Sequence, residues 1–172
     1  MLKGIKTILF TSNLSETSRV AFSHAGLLAT LLNAKIILLH VIEKIPESYE
    51  SRIVGLFGED KWTEILSRHK EEVQHALIGK ISSRQMVRTA LSEFCRQEGI
   101  GKDQCGGSQN EIIIKEGDVI ETILQQAAEH ECDLIVMGAS KGLLTGTAVG
   151  HNIKSVLKKS KIPTLVVPSG QD

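Results

Sequence analysis

Short apolar runs alternate along the chain with segments whose apolar residues recur at helical spacing. The runs are predicted to be strands because they are short and bounded by polar residues, glycine or proline. They lie at Lys6 to Phe10, Ile36 to Ile42, Glu111 to Lys115, Leu134 to Met137 and Thr164 to Val167. The second run shows no polar alternation, which is typical of a strand covered on both faces. Alternating strands and helices favour an α/β fold with a doubly wound parallel sheet over a sandwich or a bundle.

Two helices carry recognisable start and stop residues. Asn13 is predicted to cap the first helix with Glu16 as its partner, and Asn33 to end it in the left-handed conformation. Asp118 and Glu121 form a second capping-box pattern, which opens a later helix.

The middle of the chain is less regular than its two ends. From Glu43 to Gly58 the apolar residues show no regular spacing, so no helix or strand is predicted there. A long helical region is predicted from about Asp60 to Gln97, either kinked or divided into two helices. Gly99 to Asn110 is polar and glycine-rich and is predicted to be a loop. A short last helix is expected from Asn152 to Lys159.

Composition narrows the class of protein. The chain has 172 residues and is 41% hydrophobic, which fits one domain spanning 1–172 with a long helical insert at about 45–110. Twenty basic residues balance twenty acidic ones, so neither a nucleic-acid partner nor a membrane surface is expected. No signal or membrane segment is apparent, so we expect a cytoplasmic protein. The three cysteines are odd in number and far apart, as expected of reduced thiols.

The connection between the fourth strand and the last helix carries the candidate chemistry. Its glycines are Gly138, Gly142, Gly146 and Gly150. Ligands of open α/β sheets bind outside the carboxyl ends of the strands, where this connection begins. Backbone N–H groups there, with Lys141 and nearby hydroxyls, form a plausible cradle for phosphate. The alternative is a glycine-rich surface connection with no ligand, and neither the P-loop nor the dinucleotide fingerprint is present.

Five segments, taken in order, resemble the universal stress protein family. They are Lys6 to Phe10 with Ser15 and Glu16, Leu38 to Ile42, Lys115 to Gly117 with Ile120 and Ile123, Cys132 to Gly138, and Ser155 to Val167. The resemblance spans nearly the whole chain except about 45–110. It implies an adenine nucleotide alpha hydrolase-like fold with five strands in the order 3-2-1-4-5. It also implies a homodimer paired through the last strand at Thr164, Leu165, Val166 and Val167, and, in one branch, bound ATP without strong catalytic activity.

The same resemblance implies a nucleotide site, with Mg²⁺ expected only as the companion of ATP and no other metal. Its residues here are Thr11, Ser12, Asn13, Val41, Met137, Gly138, Ser140, Lys141, Gly142, Gly150, His151 and Asn152. Three of them depart from the family pattern. Asn13 stands where the family has a nucleotide-contacting aspartate, Lys141 at the place of a glycine, and His151 at the place of a hydroxyl residue. The departures leave three options: an altered nucleotide preference, a nucleotide held differently, or none. Asn13 could both donate to and accept from a base or ribose.

Three functions are therefore open. The first is a stress-response or signalling module that binds ATP, AMP or cyclic AMP. The second is a nucleotide-free module of the same fold, which docks a protein partner through 45–110. The third, a weak ATPase or a relative of ATP pyrophosphatases, is disfavoured because Thr11 to Ser15 has no glycine, so we expect no enzymatic activity.

Overall fold

The architecture is taken from a computed structural model that describes residues 3–43, 49–68, 83–97, 110–139 and 148–168. The strands are β1 (Thr7–Ser12), β2 (Lys35–Ile42), β3 (Glu111–Glu116), β4 (Leu134–Ala139) and β5 (Thr164–Pro168). The helices are α1 (Glu16–Leu32), α2 (Tyr49–Phe57), α3 (Glu59–Arg68), α4 (Ser83–Gln97), α5 (Val119–Glu129) and α6 (Ala148–Lys159). Each of the five predicted strands is confirmed.

The strands form one parallel sheet in the order β3-β2-β1-β4-β5, as the resemblance implied. β1 lies at the centre, with Ser12 opposite His40 of β2 and Thr11 opposite Met137 of β4. The chain runs outward from β1 to β3 and then crosses back to β4. The strand order therefore reverses between β1 and β4.

Helices cover the sheet on both faces, and each face has its own core. One core joins β-strand side chains to α1, α2, α3 and α4 through Phe22, Ile53, Trp62 and Phe94. The other joins them to α5 and α6 through Ile123 and Val156. The described parts of the segment 45–110 thus contribute buried side chains to the first core.

The start of α1 differs from the sequence prediction. Ser15, not Asn13, is the N-cap: it is extended, and its side chain accepts a hydrogen bond from the backbone N–H of Ser18. Leu14, with φ of 56°, turns the chain before the helix, so Asn13 precedes the cap. The predicted stop is confirmed, since Asn33 is left-handed with φ of 50°. The capping residue Asp118 is confirmed too, because its carboxylate accepts from the N–H of Glu121.

Other boundaries were also wrong. The segment from Glu43 to Gly58, where no helix was predicted, contains α2, whose Ile53 is fully buried. In the helical region that follows, the described helices are α3, which ends at Arg68, and α4, which begins at Ser83; residues 69–82 lie outside the described residues. α6 begins at Ala148, four residues before the predicted start at Asn152. Gly150, which was assigned to the preceding loop, is helical and buried.

The cysteines depart in part from the expectation of reduced thiols. Cys95, fully buried in α4, is disulfide-bonded, and its partner lies outside the described residues. Cys132 is free and buried before β4. Burial raises the pKa of its thiol to about 11.

Across the described ranges, no helix is both long enough and apolar enough to cross a lipid bilayer.

Candidate functional site

The candidate site lies at the carboxyl edge of the sheet, beside the reversal between β1 and β4. In doubly wound sheets this is where a crevice opens, because the connections leave neighbouring strands toward opposite faces. Here α1 follows β1 onto one face and α6 follows β4 onto the other. Both helices have their amino termini at this edge, and their unpaired backbone N–H groups favour a negatively charged ligand.

The turn after β1 is fixed by a set of hydroxyl groups around Asn13. The Asn13 Oδ1 atom accepts from the backbone N–H of Ser15 (3.2 Å), from Ser15 Oγ, and from Ser18 Oγ (2.6 Å). The Asn13 N–H donates in turn to Ser18 Oγ at 3.1 Å. Because the Ser15 N–H can only donate, the amide orientation is determined: Oδ1 faces the turn and Nδ2 faces away. Asn13 is exposed, and its Nδ2 has no partner within the residues described.

His40 of β2 contacts the residue that precedes this turn, Ser12. It is 1% exposed, and its Nδ1 lies 2.8 Å from the carbonyl oxygen of Ser12. A carbonyl can only accept, so Nδ1 carries the proton. Ser12 is itself buried, and its Oγ accepts from the N–H of Leu14 at 3.1 Å. The two contacts fix the last residue of β1 and the residue that follows Asn13.

β4 approaches α1 closely at the other side of the crevice. Met137 is 5% exposed, and Gly138 lies against the first turn of α1, where an added Cβ would stand 2.8 Å from the carbonyl oxygen of Thr17. The absent side chain of Gly138 therefore has a packing reason in this structure, whether or not a ligand approaches it.

The remaining predicted residues fall into two groups. Thr11 and Val41 are half-buried at the ends of β1 and β2. In the first turns of α6, Gly150 is buried, Asn152 is half-buried and His151 is exposed. Three predicted residues lie outside the described residues: Ser140, Lys141 and Gly142.

Sequence reasoning missed the residues that build the turn. Ser15 and Ser18 hold Asn13, and a Ser-x-x-Ser spacing directly before an apolar helical repeat could have indicated the cap. His40 of β2 is also fully buried, although it lies only two residues before the end of its strand. No local pattern could reveal its contact with Ser12, since the two residues are 28 positions apart.

The predicted pairing strand lies at an edge of the sheet. Thr164, Leu165 and Val166 of β5 are half-buried and Val167 is buried. The opposite edge strand, β3, exposes the charged residues Glu111, Lys115 and Glu116. Charged edges resist pairing with another chain, whereas an uncharged edge such as β5 permits it.

Within the described ranges, no three histidine, cysteine, aspartate or glutamate side chains are grouped so that they could hold a metal ion.

Comparison with known proteins gives a consistent result. The sequence profile of the universal stress protein family matches residues 4–168. A universal stress protein of Methanocaldococcus jannaschii is 29% identical over 167 residues, which cover 94% of each chain. Among solved structures, a universal stress protein in complex with cAMP superposes with a TM-score of 0.56 at 18% identity, covering 98% of this chain and 100% of that one. An Arabidopsis thaliana member of the family with AMP bound gives 0.55 at 16% identity, with coverages of 97% and 94%.

Proposed function

This chain belongs to the universal stress protein family, and we propose that it is a small homodimeric module that binds an adenine nucleotide in a cytoplasmic stress-response or signalling role. The nucleotide is ATP, AMP or cyclic AMP. The observation that carries the proposal is the convergence of the Asn13 turn, the end of β4 and the start of α6 at the reversal between β1 and β4.

The edge suits an anionic ligand for electrostatic reasons. The first turns of α1 and α6 both direct backbone N–H groups toward it, and Asn13 adds side-chain donors. The only carboxylate in the first turn of α1, Glu16, is 3.6 Å from Arg19, which offsets its charge. Relatives solved with cAMP and with AMP bound support the choice of an adenine nucleotide.

We assign a binding role rather than an enzymatic one. The groups that the structure describes at this edge include the backbone N–H groups of two helix starts, the Asn13 amide and His151. Such groups hold an anion by donating hydrogen bonds to it, which is the basis for proposing binding.

Calorimetric titration of nucleotide-stripped protein tests the function. ATP with Mg²⁺, AMP and cyclic AMP are added separately, and at least one is expected to give saturable heat. Absence of heat and of thermal stabilisation with all three at millimolar concentration would instead favour a nucleotide-free interaction module.

A matched pair of variants locates the site. His151→Glu adds a carboxylate to the exposed first turn of α6, where it suits the helix dipole but repels phosphate. We expect a loss of at least about tenfold in affinity. His24→Glu makes the same change at an exposed position in the middle of α1 and should leave affinity unchanged. Equal affinities for the two variants would show that the nucleotide does not bind beside the first turn of α6.

A further inference from the structure

We propose that Asn13 determines which nucleotides this site accepts, because its side chain offers the ligand two hydrogen-bond donors and no acceptor. The inference rests on the function proposed above and concerns the specificity of the same site. The ligand group that reaches Asn13 is accordingly an acceptor, such as a phosphate or ester oxygen.

The argument starts from the acceptor capacity of the Asn13 amide. An amide oxygen has two lone pairs, and Asn13 Oδ1 already accepts from Ser15 N, Ser15 Oγ and Ser18 Oγ. No acceptor capacity remains for a ligand. The sequence expectation that Asn13 could both donate and accept is therefore wrong in this structure.

The donor side of the same amide is unused. The two N–H groups of Asn13 Nδ2 have no partner within the residues described, and the residue is exposed at the end of the central strand. Because the two serines hold Oδ1 and the backbone N–H of Asn13 binds Ser18 Oγ at 3.1 Å, the amide cannot rotate without losing these hydrogen bonds. Its donors face away from the turn in an orientation that is fixed before a ligand arrives, which reduces the entropy lost on binding.

An aspartate in the same setting would present the opposite chemistry. Its Oδ1 would accept the same hydrogen bonds, while Oδ2 would accept from ligand hydroxyl groups and repel phosphate. Free ribose hydroxyls satisfy either residue, because a hydroxyl both donates and accepts. An esterified oxygen satisfies only the asparagine, so Asn13 favours nucleotides with esterified or phosphorylated oxygens at this position.

Asn13→Asp tests the inference with cyclic AMP and AMP as probes, because the 3′ oxygen is esterified in the first and free in the second. The variant should fold normally, since Oδ1 keeps its donors and a negative charge suits the amino terminus of α1. Its thermal melt checks this. Affinity for cyclic AMP is expected to fall by about tenfold or more. An equal fall for AMP identifies a phosphate oxygen as the acceptor, and a smaller fall identifies the esterified ribose oxygen.

Asn33→Asp is the control. It introduces the same charge at the exposed far end of α1, and it should leave both affinities unchanged. Unchanged or tighter binding of cyclic AMP to Asn13→Asp overturns the inference while leaving the proposed function in place. Failure of the wild-type protein to bind any adenine nucleotide removes the function and this inference together.

Discussion

Gly138 at the end of β4 lies directly against the carbonyl oxygen of Thr17 in the first turn of α1. A Cβ on Gly138 would stand 2.8 Å from that oxygen and 3.0 Å from Thr17 Cγ2. Because the first obstacle is backbone, no rotation of a side chain can relieve the contact. The contact sets the separation between β4 and α1 beside the crevice. The glycine is thus explained by packing before any ligand is considered.

Gly138→Ala should therefore destabilise the protein and shift α1 away from β4. We expect a loss of about 1–3 kcal/mol in the free energy of unfolding, measured by urea denaturation. Gly55→Ala is the control, since Gly55 is exposed in α2 and an added Cβ there meets nothing within 4 Å. That change should stabilise by up to about 1 kcal/mol, because alanine is the better helix former. If the two variants unfold alike, the close approach is not what constrains Gly138.

The sequence predicted the sheet better than the site, for physical reasons. Strands such as Ile36 to Ile42 are revealed by their own apolar residues, and Asn33 and Asp118 carry local signals for backbone conformation. Asn13 was assigned correctly to the edge but wrongly as the cap, because the left-handed turn at Leu14 shifts the helix start by two residues.

The exposure and orientation of several side chains depend on tertiary contacts, which local sequence patterns do not reveal. Leu32 in α1 and Leu157 in α6 are apolar residues of helices, yet they are 44% and 51% exposed, which their local sequence does not reveal. The orientation of Asn13 depends on Ser18 in the first turn of α1, and His40 contacts the Ser12 carbonyl because β2 pairs with β1. The residues 140–147, on which the phosphate prediction relied most, lie outside the described part of the chain.

Acid sensitivity should arise from a buried carboxylate in α4. Glu93 is 2% exposed, and its two oxygens accept from Arg96 at 2.6 Å and 2.9 Å. Hydrogen bonds from Arg96 hold the pKa of Glu93 below its ordinary value of 4.5, with further contributions from Gln97 and Arg68. A depressed pKa means that this stabilisation is complete above the unfolded pKa and is lost as pH falls through the folded pKa.

Glu93→Gln should consequently destabilise most at neutral pH. We expect a loss of about 1–3 kcal/mol at pH 7, and the difference from wild type should shrink below about pH 4 in urea titrations. Glu64→Gln removes a carboxylate that is 55% exposed and pairs with the same Arg68, and it should change stability by less than about 0.5 kcal/mol. A deficit for Glu93→Gln that stays constant down to pH 3 would contradict the assignment.

Pairing through the open edge of β5 is the predicted mode of dimerisation, and the direction of the backbone groups in β5 identifies the residue with which to test it. The carbonyl of Pro163 accepts from the N–H of Ile135 in β4, and alternate residues of a parallel strand bond to the same side. The backbone N–H and C=O groups of Leu165 and Val167 therefore point toward β4, whereas those of Thr164 and Val166 point to the open edge.

Val166→Pro tests this edge, because it removes an outward N–H and leaves the hydrogen bonds to β4 intact. In light scattering after size exclusion, wild type should have twice the 18.8 kDa mass of one chain, and the variant should be monomeric. Val166→Thr keeps the N–H and should remain dimeric, so a dimeric Val166→Pro protein would place the interface on another surface.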